Sequence, residues 1–150
     1  MTDTQTTSET SALPPALKTE MVDDVLVVTI DRPGAPLNTL TPALIGEFEG
    51  VLLRLNDDTL IKAAVLISGK PDSFIAGADI EQFLEITSAA EAERTSRMGQ
   101  DLLDRLEKGR VPVVAAIHGV CLGGGLEVAL ACRYRVCTDH PKTTLGLPEV

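Results

Sequence analysis

The chain has 150 residues, of which 44% are hydrophobic and 3% aromatic, and its formal net charge is −9 at pH 7. This length suits one domain whose core is built from aliphatic side chains. The acidic charge argues against nucleic acid or an anionic membrane surface as the main partner, and no apolar run approaches the ~20 residues of a membrane span.

The cysteines and the N-terminus predict the compartment. Cys121, Cys132 and Cys137 are odd in number, sit in apolar stretches and form no CxxC pair. This pattern predicts buried free thiols in a reducing compartment. The N-terminus shows neither a secretory h-region nor an Arg-rich amphipathic stretch. The sequence therefore predicts a cytoplasmic protein.

The first third of the chain predicts a tail, a strand and a helix. Residues 1–17 are rich in Thr, Ser, Asp and Glu, which predicts a disordered N-terminal tail before a folded domain over residues 18–150. The β-branched run from Val25 to Ile30 predicts a strand. Thr41 and Pro42 then open a helix, with Thr41 as the N-cap and apolar residues at helical spacing behind it.

The rest of the chain alternates strands and helices. The apolar run from Ala63 to Ser68 predicts a strand covered on both faces, and residues 111–117 predict a second one. A helix is predicted from about Ser88 to Lys108, with an inner stripe of Met98, Leu102, Leu103 and Leu106. A short helix over 126–131 and a strand over 134–138 follow. The alternation predicts α/β layering with parallel strands and crossover helices.

A glycine-rich stretch between Ile117 and Glu127 is the most informative motif. Three consecutive glycines, residues 123–125, allow close backbone approach to a ligand and leave N–H groups free at a helix N-terminus. Such groups stabilise a developing oxyanion, and the Glu127 carboxylate lies beside them. Tight helix–strand packing explains the same glycines equally well. A phosphate cradle is disfavoured, because the spacing is not GxGxxG and no Lys-Ser/Thr follows.

Two further stretches gain meaning beside this motif. The small-residue turn within Ser73–Ile80 offers another exposed backbone N–H, although a plain strand-to-helix turn is the simpler interpretation of that stretch alone. Glu149 lies on a Pro-restricted turn and by itself is an ordinary loop acid. Together with Glu127 it would give two carboxylates that can divide acid and base work.

In this order and at this separation, the three stretches resemble the crotonase (enoyl-CoA hydratase/isomerase) superfamily. The resemblance runs from about Lys18 to Val150, and Arg32 to Leu40 is similar to that family's early CoA-contacting loop. Residues 129–149 resemble the α-subunit of the bacterial fatty-acid oxidation complex, whose hydratase unit is its N-terminal domain. The resemblance implies an α/β crotonase (ClpP/crotonase-like) fold of repeated ββα units, with the C-terminal part of that fold missing from these 150 residues.

The resemblance also implies roles for particular residues. The backbone N–H groups of Ala78 and Gly124 would form an oxyanion hole for the thioester oxygen. Glu127 would orient and deprotonate the water that attacks C3, and Glu149 would exchange the proton at C2. The implied CoA-binding residues are Leu37, Ala76, Gly77, Asp79 and Ile80.

The implied activity is that of an enoyl-CoA hydratase of fatty-acid β-oxidation, the N-terminal part of a multifunctional hydratase/3-hydroxyacyl-CoA dehydrogenase. No metal or redox cofactor is implied for hydration, and NAD only for the dehydrogenase region expected downstream. A thiolase β subunit and a homo-oligomer are implied partners of the full-length parent, beside the acyl-CoA substrate. The alternatives are an enoyl-CoA isomerase, another crotonase-fold acyl-CoA enzyme, or a non-catalytic acyl-CoA-binding fragment.

Overall fold

The computed structural model of the chain describes residues 14–84 and 86–148. The strands are β1 (Leu17–Val22), β2 (Val25–Ile30), β3 (Ala63–Ser68), β4 (Ser73–Ile75), β5 (Val113–Ile117), β6 (Val120–Leu122), β7 (Tyr134–Cys137) and β8 (Thr144–Gly146). The helices are α1 (Pro42–Asp57), α2 (Ile80–Phe83), α3 (Ala89–Glu107) and α4 (Gly124–Ala131).

The strands form two sheets. The larger has five strands in the order β1-β2-β3-β5-β7, and the smaller has three in the order β4-β6-β8. Every neighbouring pair is parallel except β1 and β2, which pair antiparallel as a hairpin. Consecutive strands β3 and β4, β5 and β6, and β7 and β8 therefore pass from the larger sheet to the smaller one.

Three successive units of two strands and a helix build this arrangement. They are β1-β2-α1, β3-β4-α3 with the short α2 in between, and β5-β6-α4, after which β7 and β8 follow. The predicted fold of repeated ββα units is confirmed by this order.

The core lies between the larger sheet and its helices. Alternate residues of β2 and β3 are fully buried, as the period of two along a strand requires. From α1, Leu44, Phe48 and Leu55 enter the same cluster. Helix α1 begins where predicted, because the Thr41 hydroxyl accepts a hydrogen bond from the Leu44 N–H at 3.1 Å and caps the first turn.

Two predictions about burial are wrong, both in parts of the chain that other described residues leave uncovered. Met98, predicted on the inner stripe of α3, is 58% exposed, and in that helix only Leu102 is fully buried. Cys137, predicted to be a buried thiol, is exposed, whereas Cys121 and Cys132 are buried. Cys137 lies on β7, the edge strand of the larger sheet, where all four residues are exposed.

The N-terminal boundary of the fold falls at the end of the segment predicted as a tail. Strand β1 starts at Leu17, and Leu17 and the preceding Ala16 are both buried. Their N–H groups donate to the Glu47 carboxylate of α1 at 2.7 and 3.1 Å respectively. Residues 1–13 of the predicted tail lie outside the described part of the chain.

Candidate active site

One edge of the small sheet gathers the glycine-rich segments. Strands β4, β6 and β8 are parallel, with Ile75 opposite Cys121 and Leu122 opposite Gly146. Residues 76–79, here called the first loop, follow β4, and residues 123–125, the second loop, follow β6. Because the carboxyl ends of parallel strands meet at the same edge, both loops and the segment after β8 leave the sheet together.

The first loop is held by a short parallel bridge between Leu40 and Ala78. The Leu40 N–H donates to the Gly77 carbonyl oxygen at 2.8 Å, and the Asp79 N–H donates to the Leu40 carbonyl oxygen at 3.0 Å. Leu40 makes both hydrogen bonds of this bridge, and Ala78 is the residue opposite it. In a parallel pair, such an opposite residue points its N–H and C=O away from the partner strand. The bridge therefore leaves the Ala78 N–H unused and turned away from Leu40. Gly77 takes φ of 106°, which favours glycine.

The second loop starts helix α4 at the same edge. Gly123 takes φ of 49°, its N–H donates to the Gly146 carbonyl oxygen at 2.9 Å, and its carbonyl oxygen accepts from the Glu127 N–H at 3.0 Å. Gly124 follows as the first residue of the helix, where an N–H has no partner within the helix. The second loop thus presents a free donor at the positive end of the helix dipole.

The two loops and a carboxylate surround one small space. A methyl group on Gly124 would point into it, 4.0 Å from the Ala78 nitrogen and 3.6 Å from Glu127 Oε2. The same methyl would lie 2.8 Å from Leu40 Cδ1, so the Leu40 side chain forms an apolar wall of this space. Backbone donors and a carboxylate around one apolar-walled space can stabilise negative charge on an oxygen while moving a proton next to it.

Comparison with known proteins identifies the family of the chain. The enoyl-CoA hydratase/isomerase family model matches residues 20–150. The chain belongs to the enoyl-CoA hydratase/isomerase family. It is 55% identical over 128 residues to a fatty acid oxidation complex subunit alpha of Idiomarina loihiensis, a match that covers 85% of this chain and 18% of that protein.

Solved structures share the fold of this chain. An enoyl-CoA hydratase from Bacillus anthracis superposes with a TM-score of 0.81 at 27% identity, over 89% of this chain and 51% of that one. DspI of Pseudomonas aeruginosa gives a TM-score of 0.80 at 31% identity, over 94% of this chain and 57% of that one. The chain thus spans about half the length of these two proteins and 18% of the curated relative.

The residues that were predicted to contact CoA differ in their surroundings. Ala76 and Asp79 are partly buried and Gly77 is buried, within the first loop. Leu37 and Ile80 are 41% and 76% exposed. Their roles in CoA binding stay predictions. Glu149, the second predicted catalytic carboxylate of this hydratase/isomerase domain, lies outside the described residues.

A polar cluster of Arg32, Thr39 and Asp79, whose mutual contacts the sequence did not predict, holds the first loop. Arg32 Nη1 donates to Asp79 Oδ2 at 3.3 Å and to the Thr39 hydroxyl, which in turn donates to Asp79 Oδ2 at 3.2 Å. The Arg32 and Asp79 side chains are only 25% and 22% exposed, so solvent screens this pair less than a surface ion pair. The cluster ties the loop before α1 to the residue after Ala78.

Among residues 14–84 and 86–148, no group of three or more His, Cys, Asp or Glu side chains could hold a metal ion. Within the same residues, none of the helices is both long and apolar enough to cross a membrane.

Proposed function

We propose that this chain is part of an enoyl-CoA hydratase that adds water to a 2-trans-enoyl-CoA and gives the 3-hydroxyacyl-CoA. The observation that carries the proposal is the convergence of the Ala78 N–H, the start of helix α4 at Gly124 and the Glu127 carboxylate around one space. A thioester oxygen in that space would accept hydrogen bonds from both loops, with Glu127 beside the reacting carbons.

The first half of the reaction follows from where charge moves. Glu127 takes a proton from water while the water oxygen forms a bond to C3. The electrons of the double bond then pass to the thioester oxygen. One negative charge therefore leaves the Glu127 carboxylate and appears on the oxygen held by Ala78 and Gly124. Two preorganised donors and the N-terminus of α4 stabilise that enolate, and the loss of one such donor typically costs about 10²–10³ in rate.

The second half delivers a proton to C2. We assign this step to Glu149 in its protonated form, as the resemblance implies. Its proton passes to C2 as the enolate electrons form the C2–H bond, Glu149 is left as a carboxylate, and proton exchange with water returns both groups to their starting forms. Syn addition follows when both side chains face one side of the substrate. Support comes from the register of the small sheet: Gly146 ends β8 opposite Leu122, so the chain leaving β8 starts at the edge that carries the second loop. The proposed step requires no metal or redox cofactor, because two carboxylates carry both proton transfers.

The wider context of the proposal is a multifunctional β-oxidation enzyme. The similarity to a fatty acid oxidation complex subunit alpha supports a parent that also carries a 3-hydroxyacyl-CoA dehydrogenase region, where NAD would bind. A thiolase β subunit and further copies of the parent are its proposed partners. The proposed location is the cytoplasm, which suits three cysteines that are all free.

Replacing Glu127 by Gln tests the proposal in the full-length protein. The variant keeps the shape of the side chain and loses the base. The rate of crotonoyl-CoA hydration, measured as the decrease in enoyl absorbance, is therefore expected to fall by about 10²–10⁴-fold. Glu20→Gln on the exposed strand β1 is the matched control and is expected to keep the wild-type rate.

Each outcome separates the candidate reactions. Full hydration by Glu127→Gln would remove Glu127 from the mechanism. A wild-type protein that moves the double bond of a 3-enoyl-CoA but does not hydrate crotonoyl-CoA would identify an isomerase instead. Binding of crotonoyl-CoA without turnover would point to a non-catalytic acyl-CoA-binding protein.

A further inference from the structure

Asn38 is a polar side chain that is completely buried between the two sheets. Its amide nitrogen lies 3.0 Å from the Ile30 carbonyl oxygen, 2.9 Å from Ser68 Oγ and 3.1 Å from the Phe74 carbonyl oxygen. Its two N–H groups donate to these three acceptors, so one N–H is shared between two of them. Its amide oxygen accepts from the Arg32 N–H at 3.0 Å. Every polar atom of the side chain therefore has a partner, as a buried amide requires.

The three acceptors around the Asn38 amide nitrogen lie on three different strands. Ile30 is the last residue of β2 and Ser68 the last residue of β3, both in the larger sheet, whereas Phe74 belongs to β4 of the smaller sheet. The side chain thus fixes the spacing between the two sheets at the edge where the first loop leaves β4. A hydrophobic residue could fill the volume but could not satisfy these carbonyl groups.

The main chain of Asn38 continues this link into the first loop. Its carbonyl oxygen accepts from the Ala76 N–H at 2.8 Å, and two residues further on Leu40 makes both bonds of the bridge around Ala78. The buried amide is therefore connected to the Ala78 N–H by the backbone from residue 38 to residue 40 and by the hydrogen bonds that these residues make with the first loop. The three atoms nearest to a methyl group on Gly124 belong to Leu40, Glu127 and Ala78, and none of them belongs to Asn38.

We infer that Asn38 is the positioning residue for the Ala78 donor, and this inference rests on the proposed function. The side chain anchors residues 38–40 to both sheets, and those residues hold the first loop so that the Ala78 N–H is directed at the thioester oxygen. Oxyanion donors act only when they are fixed close to their productive geometry, and a misplacement of about 1 Å can cost about 10²-fold in rate.

The test uses Asn38→Ala in the full-length protein, with two readouts. The first is hydration of crotonoyl-CoA, in which kcat is expected to fall about 10- to 100-fold while KM stays within about twofold, because the donor acts mainly on the transition state. The second is the infrared stretching frequency of the thioester carbonyl of bound butanoyl-CoA, which no hydratase can hydrate. In the wild type this frequency is lowered by the donors, and in the variant it is expected to return toward its value in water.

Controls separate positioning from stability. Asn56→Ala, at an exposed site whose amide contacts only Asp57, is expected to leave both readouts unchanged. If Asn38→Ala does not fold, Asn38→Ser is measured instead, because its hydroxyl can still donate one bond and its effect should be smaller but of the same kind. A folded Asn38 variant with wild-type kcat and wild-type carbonyl frequency overturns the inference. Failure of the proposed function is seen separately, as a wild-type protein that lowers the carbonyl frequency but does not hydrate crotonoyl-CoA.

Discussion

A methyl group on Gly125 would lie 2.2 Å from the carbonyl oxygen of Ile75, so helix α4 rests directly on the last residue of β4. This contact sets the distance between the first and second loops. At Gly124 the nearest atom to such a methyl is the end of a flexible side chain, Leu40 Cδ1. The two glycines therefore differ in their surroundings: Gly124 faces the Leu40 side chain, whereas Gly125 allows the two backbones to touch.

Gly125→Ala is expected to separate α4 from β4 and to weaken both folding and hydration. The added methyl meets a backbone atom that cannot rotate away, and overpacking of this kind typically costs about 1–3 kcal/mol in the free energy of unfolding. The shift also moves the Gly124 N–H away from the Ala78 N–H, so hydration per folded molecule is expected to fall by about 10²-fold. Urea denaturation and crotonoyl-CoA hydration of the full-length protein measure the two effects.

The matched control is Gly99→Ala, in the middle of α3. Among the described residues, and apart from its chain neighbours and the backbone of its own helix, no atom lies within 4 Å of a methyl group at that position. Alanine is favoured over glycine inside a helix by about 0.5–1 kcal/mol, so this variant should be slightly more stable and fully active. A Gly125→Ala protein that behaves like Gly99→Ala would show that the contact with Ile75 relaxes without consequence.

The ion pair between Arg32 and Asp79 is expected to stabilise the first loop more than a surface pair would. Asp79→Asn keeps the shape of the side chain but removes its charge. Because both side chains are mostly shielded from solvent, a double-mutant cycle with Arg32→Gln should give a coupling free energy of about 1 kcal/mol.

The pair between Glu93 and Arg97 is the comparison for that cycle. It is an i,i+4 pair on α3 whose side chains are 64% and 70% exposed, and such pairs contribute about 0.3–0.5 kcal/mol. Equal coupling in the two cycles, measured by urea denaturation, would mean that the Arg32 pair does no more than an exposed one.

The sequence predicted the parts of the fold whose signals are local. The run Val25–Ile30 and the run Ala63–Ser68 form strands with the predicted bounds, because continuous apolar β-branched segments bury well in a parallel sheet. Strand β1 escaped prediction, because its polar residues at the edge of the sheet resemble the start of the tail. Strands β6 and β8 are three residues long, which is too short for a periodic signal.

The candidate site was likewise predicted only where its residues carry a local signal. The glycines and Glu127 carry a local signal, and the structure brings Ala78, Gly124 and Glu127 together. Asn38 gave no such signal, because its role depends on a hydrogen bond to Phe74, which lies 36 residues further along the chain. The burial of Met98 was overestimated since helical spacing identifies an apolar face but not whether another element covers it.

Acid is expected to weaken the fold through Asp31. The Lys70 and Lys18 ammonium groups, 2.9 and 3.0 Å from its carboxylate oxygens, hold the pKa of Asp31 below its ordinary value. A carboxyl whose pKa is lower in the folded state stabilises the fold at pH values above its unfolded pKa, and that contribution disappears as the pH falls through the folded pKa. The stability difference between wild type and Asp31→Asn should therefore be largest near neutral pH and shrink below about pH 4.

Urea denaturation of both proteins at several pH values and low salt measures this difference. Asp101→Asn is the control, since among the described residues the Asp101 carboxylate forms no ion pair. A difference between wild type and Asp31→Asn that stays constant from neutral to acid pH would contradict the role of the two lysines.

The buried thiols are expected to resist alkylation in the folded protein. Burial raises the pKa of Cys121 to about 11 and that of Cys132 to about 12, and only the thiolate reacts with iodoacetamide. Trypsin places both residues in the peptide 111–133, whereas Cys137 falls in the peptide 136–142. After brief treatment of the native protein near pH 8, mass spectrometry should find peptide 111–133 unmodified, and after unfolding in urea it should carry two labels. Rapid labelling of that peptide in the native state would mean that α4 and β6 open readily, which a preformed oxyanion site at their junction does not allow.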